Sequence, residues 1–316
     1  IPHGMIAVEG EDCTFYSFVL SNSAAREGEQ PAVAAKPAKG IVSDKQERIY
    51  KKFIDRTVEN GQLTKISFKG EDKFNFAFDI VDELGKTKPE KLCMLHLSED
   101  GTERRFTFQD MKKESARAAN YFKSLGIKRG DRVMLVLKRH YQFWFAILGL
   151  HKLGAIAIPA TNQLMEHDFV YRFQAADVSA VLCTADGSTA EQIELAEKSA
   201  GMHLTRILVG GSREGWHNYD EEYRLFSRRY ERTEDAPCGS DPMLMLFTSG
   251  TTGYPKMATH SYKYALGHYV TAKYWHLCER DGLHFTISET GWGKALWGKL
   301  YGQWLCEGAV FVYDFD

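Results

Sequence analysis

Residues Leu246–Met257 read LFTSGTTGYPKM. Thr248, Ser249, Thr251 and Thr252 crowd around Gly250 and Gly253, and Lys256 closes the run. Glycines let a backbone come close to a ligand. Successive N–H groups in such a turn make a concave anion site, hydroxyls add donors, and Lys256 supplies positive charge. A nucleotide triphosphate suits that arrangement. The spacing differs from the common nucleotide loop, whose lysine follows a glycine and precedes Ser or Thr. Here Pro255 precedes Lys256.

An apolar run, Met243–Phe247, feeds the loop, and the residues from His260 are predicted to form a helix. His260 could then meet nucleotide or metal, although solvent or backbone would satisfy a helix-end histidine equally well.

Upstream, apolar strand-like runs alternate with amphipathic stretches. Thr107 and Asp110 have the spacing of a capping box, with Met111, Ala118, Phe122 and Leu125 on one helical face before Gly126. Val133–Leu137 reads as a strand buried on both faces, and a helix over Tyr141–Leu153 leads into Ala155–Ile158. The cycle repeats through Glu166–Ala176, Val178–Cys183, Glu191–Ala200 and Leu204–Val209. Such alternation predicts an α/β fold of largely parallel sheets flanked by helices. Ligands in these folds bind beyond the carboxyl ends of strands, where the loop after Phe247 would lie.

The 316 residues are 44% hydrophobic, enough for a sizeable core. A net charge of −2 gives no bulk attraction for nucleic acid or an anionic membrane, so phosphate binding must be local. No run is long and apolar enough to predict membrane insertion, and no signal core opens the chain, so cytoplasmic residence is expected. Cys13, Cys93, Cys183, Cys238, Cys278 and Cys306 show no CxxC pair or metal-ligand spacing and read as buried free thiols. No oligomeric state follows from the sequence.

Residues 1–44 read as a tail with a possible strand at Thr14–Leu20 and an Ala/Pro-rich linker at 21–40. Between Gly210 and Ser240 the chain turns polar, with Arg228, Arg229 and Arg232 among carboxylates, and is predicted to be a solvated excursion.

A second motif spans Thr286–Lys294, TISETGWGK. Gly291 leaves room for a close turn, and the Trp292 ring can wall an apolar tunnel. Trp297 and Tyr301, four residues apart, could line the same pocket, though plain core is the default.

Together the two motifs resemble the signatures of the adenylate-forming (AMP-binding) superfamily, and Glu289–Trp292 resembles its acetyl and medium-chain acyl-CoA synthetases. Those enzymes usually carry aspartate where this chain has Glu289. FNFAFDIVDE at Phe74–Glu83, RRFTF at Arg104–Phe108 and GAIAIP at Gly154–Pro159 extend the likeness over residues 45–316. The resemblance implies that a short- or medium-chain carboxylic acid attacks ATP to give acyl-adenylate and pyrophosphate. Coenzyme A then displaces AMP, with Mg2+ as the metal. It assigns Thr248, Ser249, Gly250, Thr251, Thr252, Gly253 and Lys256 to the nucleotide, and Gly291 and Trp292 to the acid. A carrier protein as acceptor, or a non-catalytic ligand-binding paralogue, are the alternatives.

Family members carry the adenine segment, hinge and lysine-bearing C-terminal domain in a region without counterpart here. The chain is therefore expected to be an incomplete N-terminal domain, inactive or nearly so alone. No catalytic lysine or protein metal ligand is assigned, and Lys256, Lys294 and Lys299 are not substitutes. An interrupted sheet would leave an apolar edge at Val310–Tyr313.

Overall fold

Four central strands, buried on both faces along most of their length, organise the described residues. The computed structural model describes residues 47–60, 62–248 and 253–315. The expected strand at Thr14–Leu20, the linker, Cys13 and the loop residues Ser249–Thr252 lie outside these.

The strands are β1 (Ile54–Glu59), β2 (Gln62–Phe68), β3 (Leu92–Ser98), β4 (Glu103–Thr107), β5 (Arg132–Val136), β6 (Ile156–Pro159) and β7 (Ala180–Thr184). They continue as β8 (Thr205–Val209), β9 (His217–Asn218), β10 (Pro242–Thr248), β11 (Lys256–Ser261), β12 (Leu283–Phe285) and β13 (Ala309–Asp314). β1 and β2 form an antiparallel hairpin. The main sheet runs β11-β10-β6-β5-β7-β8-β9 and is parallel except for the β10–β11 pair. A second sheet runs β12-β13-β3-β4, antiparallel only between β3 and β4.

Successive residues of the main sheet enter opposite cores. Val133, Leu135 and Leu137 join one cluster with Ala180 and Leu182, while Met134 and Val136 join another with Val181 and Cys183. Helices cover both faces, which is why these strands read as unbroken apolar runs. The helix Phe108–Ser124 starts with the expected capping box: Asp110 N–H donates to Thr107 Oγ1 at 3.2 Å and Thr107 N–H to Asp110 Oδ2 at 2.9 Å. The next helix, Gln142–Leu153, is buried along nearly all its length, including His151 and Lys152.

Two expectations need correction. Val310–Tyr313 is not a sheet edge: β13 lies between β12 and β3, and Val310 and Val312 are fully buried. Parallel crossovers insert a late strand beside an early one, and the half-exposed apolar edge is β12, at Leu283 and Phe285. The residues after the glycine-rich loop do not start a helix either. Lys256–Ser261 is an antiparallel edge strand, and the helix begins at Tyr264. Of the described cysteines, Cys93, Cys183, Cys278 and Cys306 are buried free thiols and Cys238 is half-buried. Among the described residues no helix is long and apolar enough to cross a membrane.

Two buried groups make the core testable. Lys152 Nζ donates to Asp82 Oδ1 at 2.8 Å, the residues being 1% and 5% exposed. Lys152→Met should cost about 3–5 kcal/mol by leaving a buried carboxylate unpaired. Adding Asp82→Leu should recover much of that, read by denaturant melts.

His151, whose Nε2 lies 2.8 Å from Tyr301 Oη, has its pKa pushed by burial from 6.5 to about 3. The unfolded chain takes up this proton first, so it binds more protons than the fold between those values. Stability contributed by neutral His151 is therefore lost as pH falls from 6.5 toward 3. His151→Gln should melt lower at pH 7 but decline less steeply with acid; parallel declines would contradict this.

Candidate functional site

The mouth of the glycine-rich loop is the end of the β10–β11 hairpin. Thr248 and Lys256 face each other in register, both exposed, with Thr248 Oγ1 donating to the Lys256 carbonyl at 3.3 Å. Gly253, the first described residue beyond the tip, has φ +77°, a left-handed conformation that favours glycine. The hairpin is held from one side. Tyr254 stacks on Tyr171 at 4.6 Å, the Tyr171 hydroxyl donates to the Pro255 carbonyl at 2.8 Å, and Arg172 lies 5.2 Å over the Phe247 ring. β10 ends at Thr248 and Lys256 opens β11, so the chain after the glycine-rich segment continues as a strand, and no helix N-terminus follows it directly. His260 is half-buried in β11, with its ring 4.2 Å from that of Tyr264, and burial lowers its pKa.

Residues 286–292 connect β12 to the helix Gly293–Gly298 and cross the carboxyl ends of the main-sheet strands. A Cβ on Gly291 would lie 2.4 Å from the Ala160 carbonyl carbon and from the Thr161 nitrogen. Only a residue without a side chain fits that approach to the end of β6. Thr290 donates through both N–H and hydroxyl to the Lys138 carbonyl, at 2.9 and 2.6 Å, fixing the segment to the end of β5. Gly293 abuts Leu246 of β10, whose Cδ1 would lie 3.4 Å from an added Cβ. Glu289 accepts a hydrogen bond from Thr161 Oγ1 at 3.2 Å and faces the Arg139 guanidinium at 3.8 Å. The second motif therefore lies against the ends of β5 and β6 and meets the first at Leu246 of β10.

Trp292 is 57% exposed, leaving its ring free to meet a ligand. Its neighbours in sequence do other work. Tyr301 is fully buried against His151 and belongs to the core, while Trp297 turns away to stack on His276 at 5.6 Å. Lys294 is exposed. Lys299 is buried, donates to the Ser288 carbonyl at 2.8 Å, and burial, with Arg139 adding repulsion, pushes its pKa down to about 8. It anchors the motif from beneath.

Sequence reasoning missed Lys138, Arg139, Ala160 and Thr161, and the anchoring role of Lys299. The first four directly follow apolar strand runs, which was the available signal; Lys299 gave none. Beside them a cavity of about 730 Å³ opens over the ends of β5, β7 and β8. There His140 Nδ1 lies 2.7 Å from Asp314 Oδ2, its Nε2 2.8 Å from Thr184 Oγ1, and Lys138 pairs with Asp186 at 3.1 Å.

The close approach at Gly291 gives a direct test. Gly291→Ala should cost about 1–3 kcal/mol through overpacking against backbone. Gly293→Ala, which meets only ordinary van der Waals contact, should melt like the parent chain. Equal thermal melts for both variants would contradict the geometry.

Comparison with known proteins bears on the family and the fold. The family model described as AMP-binding enzyme matches residues 81–312. A rat protein named acyl-coenzyme A synthetase ACSM5, mitochondrial, is 35% identical over 251 residues, covering 76% of this chain and 42% of the relative. The human acyl-coenzyme A synthetase ACSM3, mitochondrial, is 30% identical over 247 residues with the same coverage. The chain thus spans less than half the length of these relatives. Among solved structures, Brucella canis acyl-CoA synthetase superposes with TM-score 0.68 at 22% identity, over 78% of this chain and 44% of that one. The anthranilate CoA ligase AuaEII, solved with anthranoyl-AMP, gives 0.67 at 21% identity, over 78% and 46%. These likenesses show the fold, and the family match over residues 81–312 shows that the chain belongs to the AMP-binding enzymes.

Proposed function

We propose that this chain supplies the triphosphate-binding and acyl-binding part of an AMP-forming acyl-CoA synthetase acting on a short- or medium-chain carboxylic acid. The observation that carries this reading is the seating of Gly291 and Gly293 against β6 and β10, which sets Trp292 beside the strand feeding the glycine-rich loop. An acid lying along Trp292 would present its carboxylate toward a nucleotide held at Thr248–Lys256.

In the proposed reaction the acid's oxygen attacks the α-phosphorus of ATP, and pyrophosphate leaves. The coenzyme A thiol then attacks the acyl carbonyl and AMP departs. Attack of one anion on another needs charge neutralisation and positioning. Thr248, Ser249, Thr251, Thr252 and the Lys256 ammonium would hold the pyrophosphate oxygens, with Gly250 and Gly253 shaping the turn. The Trp292 ring would wall the acyl chain and exclude water from the adenylate. Mg2+ would enter with ATP. The group of potential ligands found among the described residues, His276, Cys278 and His284, lacks the oxygen donors Mg2+ takes, so no protein ligand for it is assigned. Cytoplasmic residence is kept as a proposal; the relatives' names place those proteins in mitochondria, and fractionation of the native protein decides.

Pyrophosphate release with ATP, Mg2+ and acids from acetate to octanoate and benzoate tests the reading, on the 316-residue chain and on a version extended through its downstream reading frame. Activity is expected in the extended form alone. There, Lys256→Ala should lower kcat/KM about 100-fold, the scale for losing one preorganised charge-stabilising group. Trp292→Ala should alter the ratio of rates between acids more than the rate on ATP. No pyrophosphate from either form would overturn the proposal.

A further inference from the structure

A second group of ligand-bearing side chains lies just before the acyl motif. His276 follows the helical turn Thr271–Trp275, Cys278 comes two residues later, and His284 sits in β12. One ligand atom from each of the three lies within 4.8 Å of the others. Their rings are already ordered: His276 and His284 stack with centroids 4.8 Å apart, and Trp297 covers the other side of His276. Cys278 is 5% exposed.

A fourth polar side chain adjoins the group. Gln303 is fully buried, and its Nε2 lies 3.0 Å from His276 Nδ1 and 3.0 Å from the Trp297 carbonyl. Its Oε1 is buried with no hydrogen-bond partner. A buried carboxamide oxygen left unpaired costs free energy unless something accepts its lone pairs. Two imidazoles, a thiol and an amide oxygen are the donor set of a borderline cation, not of Mg2+ or Ca2+.

We propose that His276, Cys278 and His284 bind one Zn2+ ion, with the Gln303 carboxamide oxygen taking the fourth position as the amide turns its Nε2, which lies 3.0 Å from His276 Nδ1, away from the ion. Bond lengths of about 2.0–2.3 Å in a tetrahedron set ligand atoms about 3.3–3.8 Å apart. The observed group needs to contract by up to about 1.5 Å, within reach of side-chain adjustment at a surface strand. Binding releases the Cys278 thiol proton to solvent and forms the Zn–S bond. The ion then clips β12 to the helix end before it, and β12 runs directly into Thr286–Trp292. It therefore stiffens the segment carrying Trp292; this consequence rests on the proposed function, whereas metal binding does not.

Metal-free 316-residue chain is titrated with Zn2+ and Co2+. One tightly bound equivalent is expected, with a thiolate-to-cobalt charge-transfer band and the visible bands of tetrahedral Co2+. Cys278→Ser should abolish the charge-transfer band. His284→Gln should weaken Zn2+ by at least about tenfold, since loss of even an outer-shell partner costs about 10–100-fold. Cys238→Ser, remote in sequence and not part of the group, should bind as the parent does. Absence of a stoichiometric site in the parent overturns the proposal, as does unchanged binding by His284→Gln with an intact circular dichroism spectrum.

Discussion

The site depends on one backbone contact, the passage of Gly291 over the Ala160–Thr161 peptide. Any side chain at Gly291 would collide with main chain, which cannot rotate aside as a lysine tip can. Because that approach is allowed, Thr290 reaches the Lys138 carbonyl with two hydrogen bonds and Gly293 settles against Leu246. Three strand ends are thereby tied by one irregular segment. Buried carbonyls such as those of Lys138 and Ser288 are satisfied by Thr290 and Lys299, so the segment is held at its polar atoms as well as by packing.

The charges around this segment follow from its burial. Glu289 faces Arg139 and Thr161, and Lys299 lies beneath with its ammonium destabilised by burial. Arg139 also donates to the Phe315 carbonyl at 2.7 Å and lies 4.3 Å over the Phe315 ring, linking the motif to the end of β13. Arg139 lies just past the end of β5, where a parallel sheet collects its loops, whereas Lys299 directly follows the helix Gly293–Gly298.

Much of this was legible in the sequence because local signals and tertiary packing agree. The helix Glu166–Ala176 ends where its pattern ends, and the Thr107–Asp110 cap forms as its spacing implies. The motifs were legible because glycine, hydroxyl and lysine positions answer to ligand chemistry. What failed was decided by long-range pairing. Lys256–Ser261 carries no strong helix or strand preference, and six residues of pairing with β10 settle it as a strand. The placement of β13 between β12 and β3 depends on partners over two hundred residues away for β3, which no local pattern reports. Trp297 and Tyr301 have helical spacing, yet Lys299 and Leu300 break the helix between them, so they face different surroundings.

The central claim is that residues 246–257 and 286–292 form one ligand site. Hydrogen exchange in the protein extended through its downstream frame, with and without a stable acyl-adenylate analogue, tests it most directly. The account expects slowed exchange in both segments at the same ligand concentration, and parallel loss of both effects in Gly291→Ala. Protection of only one segment, or protection confined to the separate cavity lined by Lys112 and Arg228–Arg232, would contradict it.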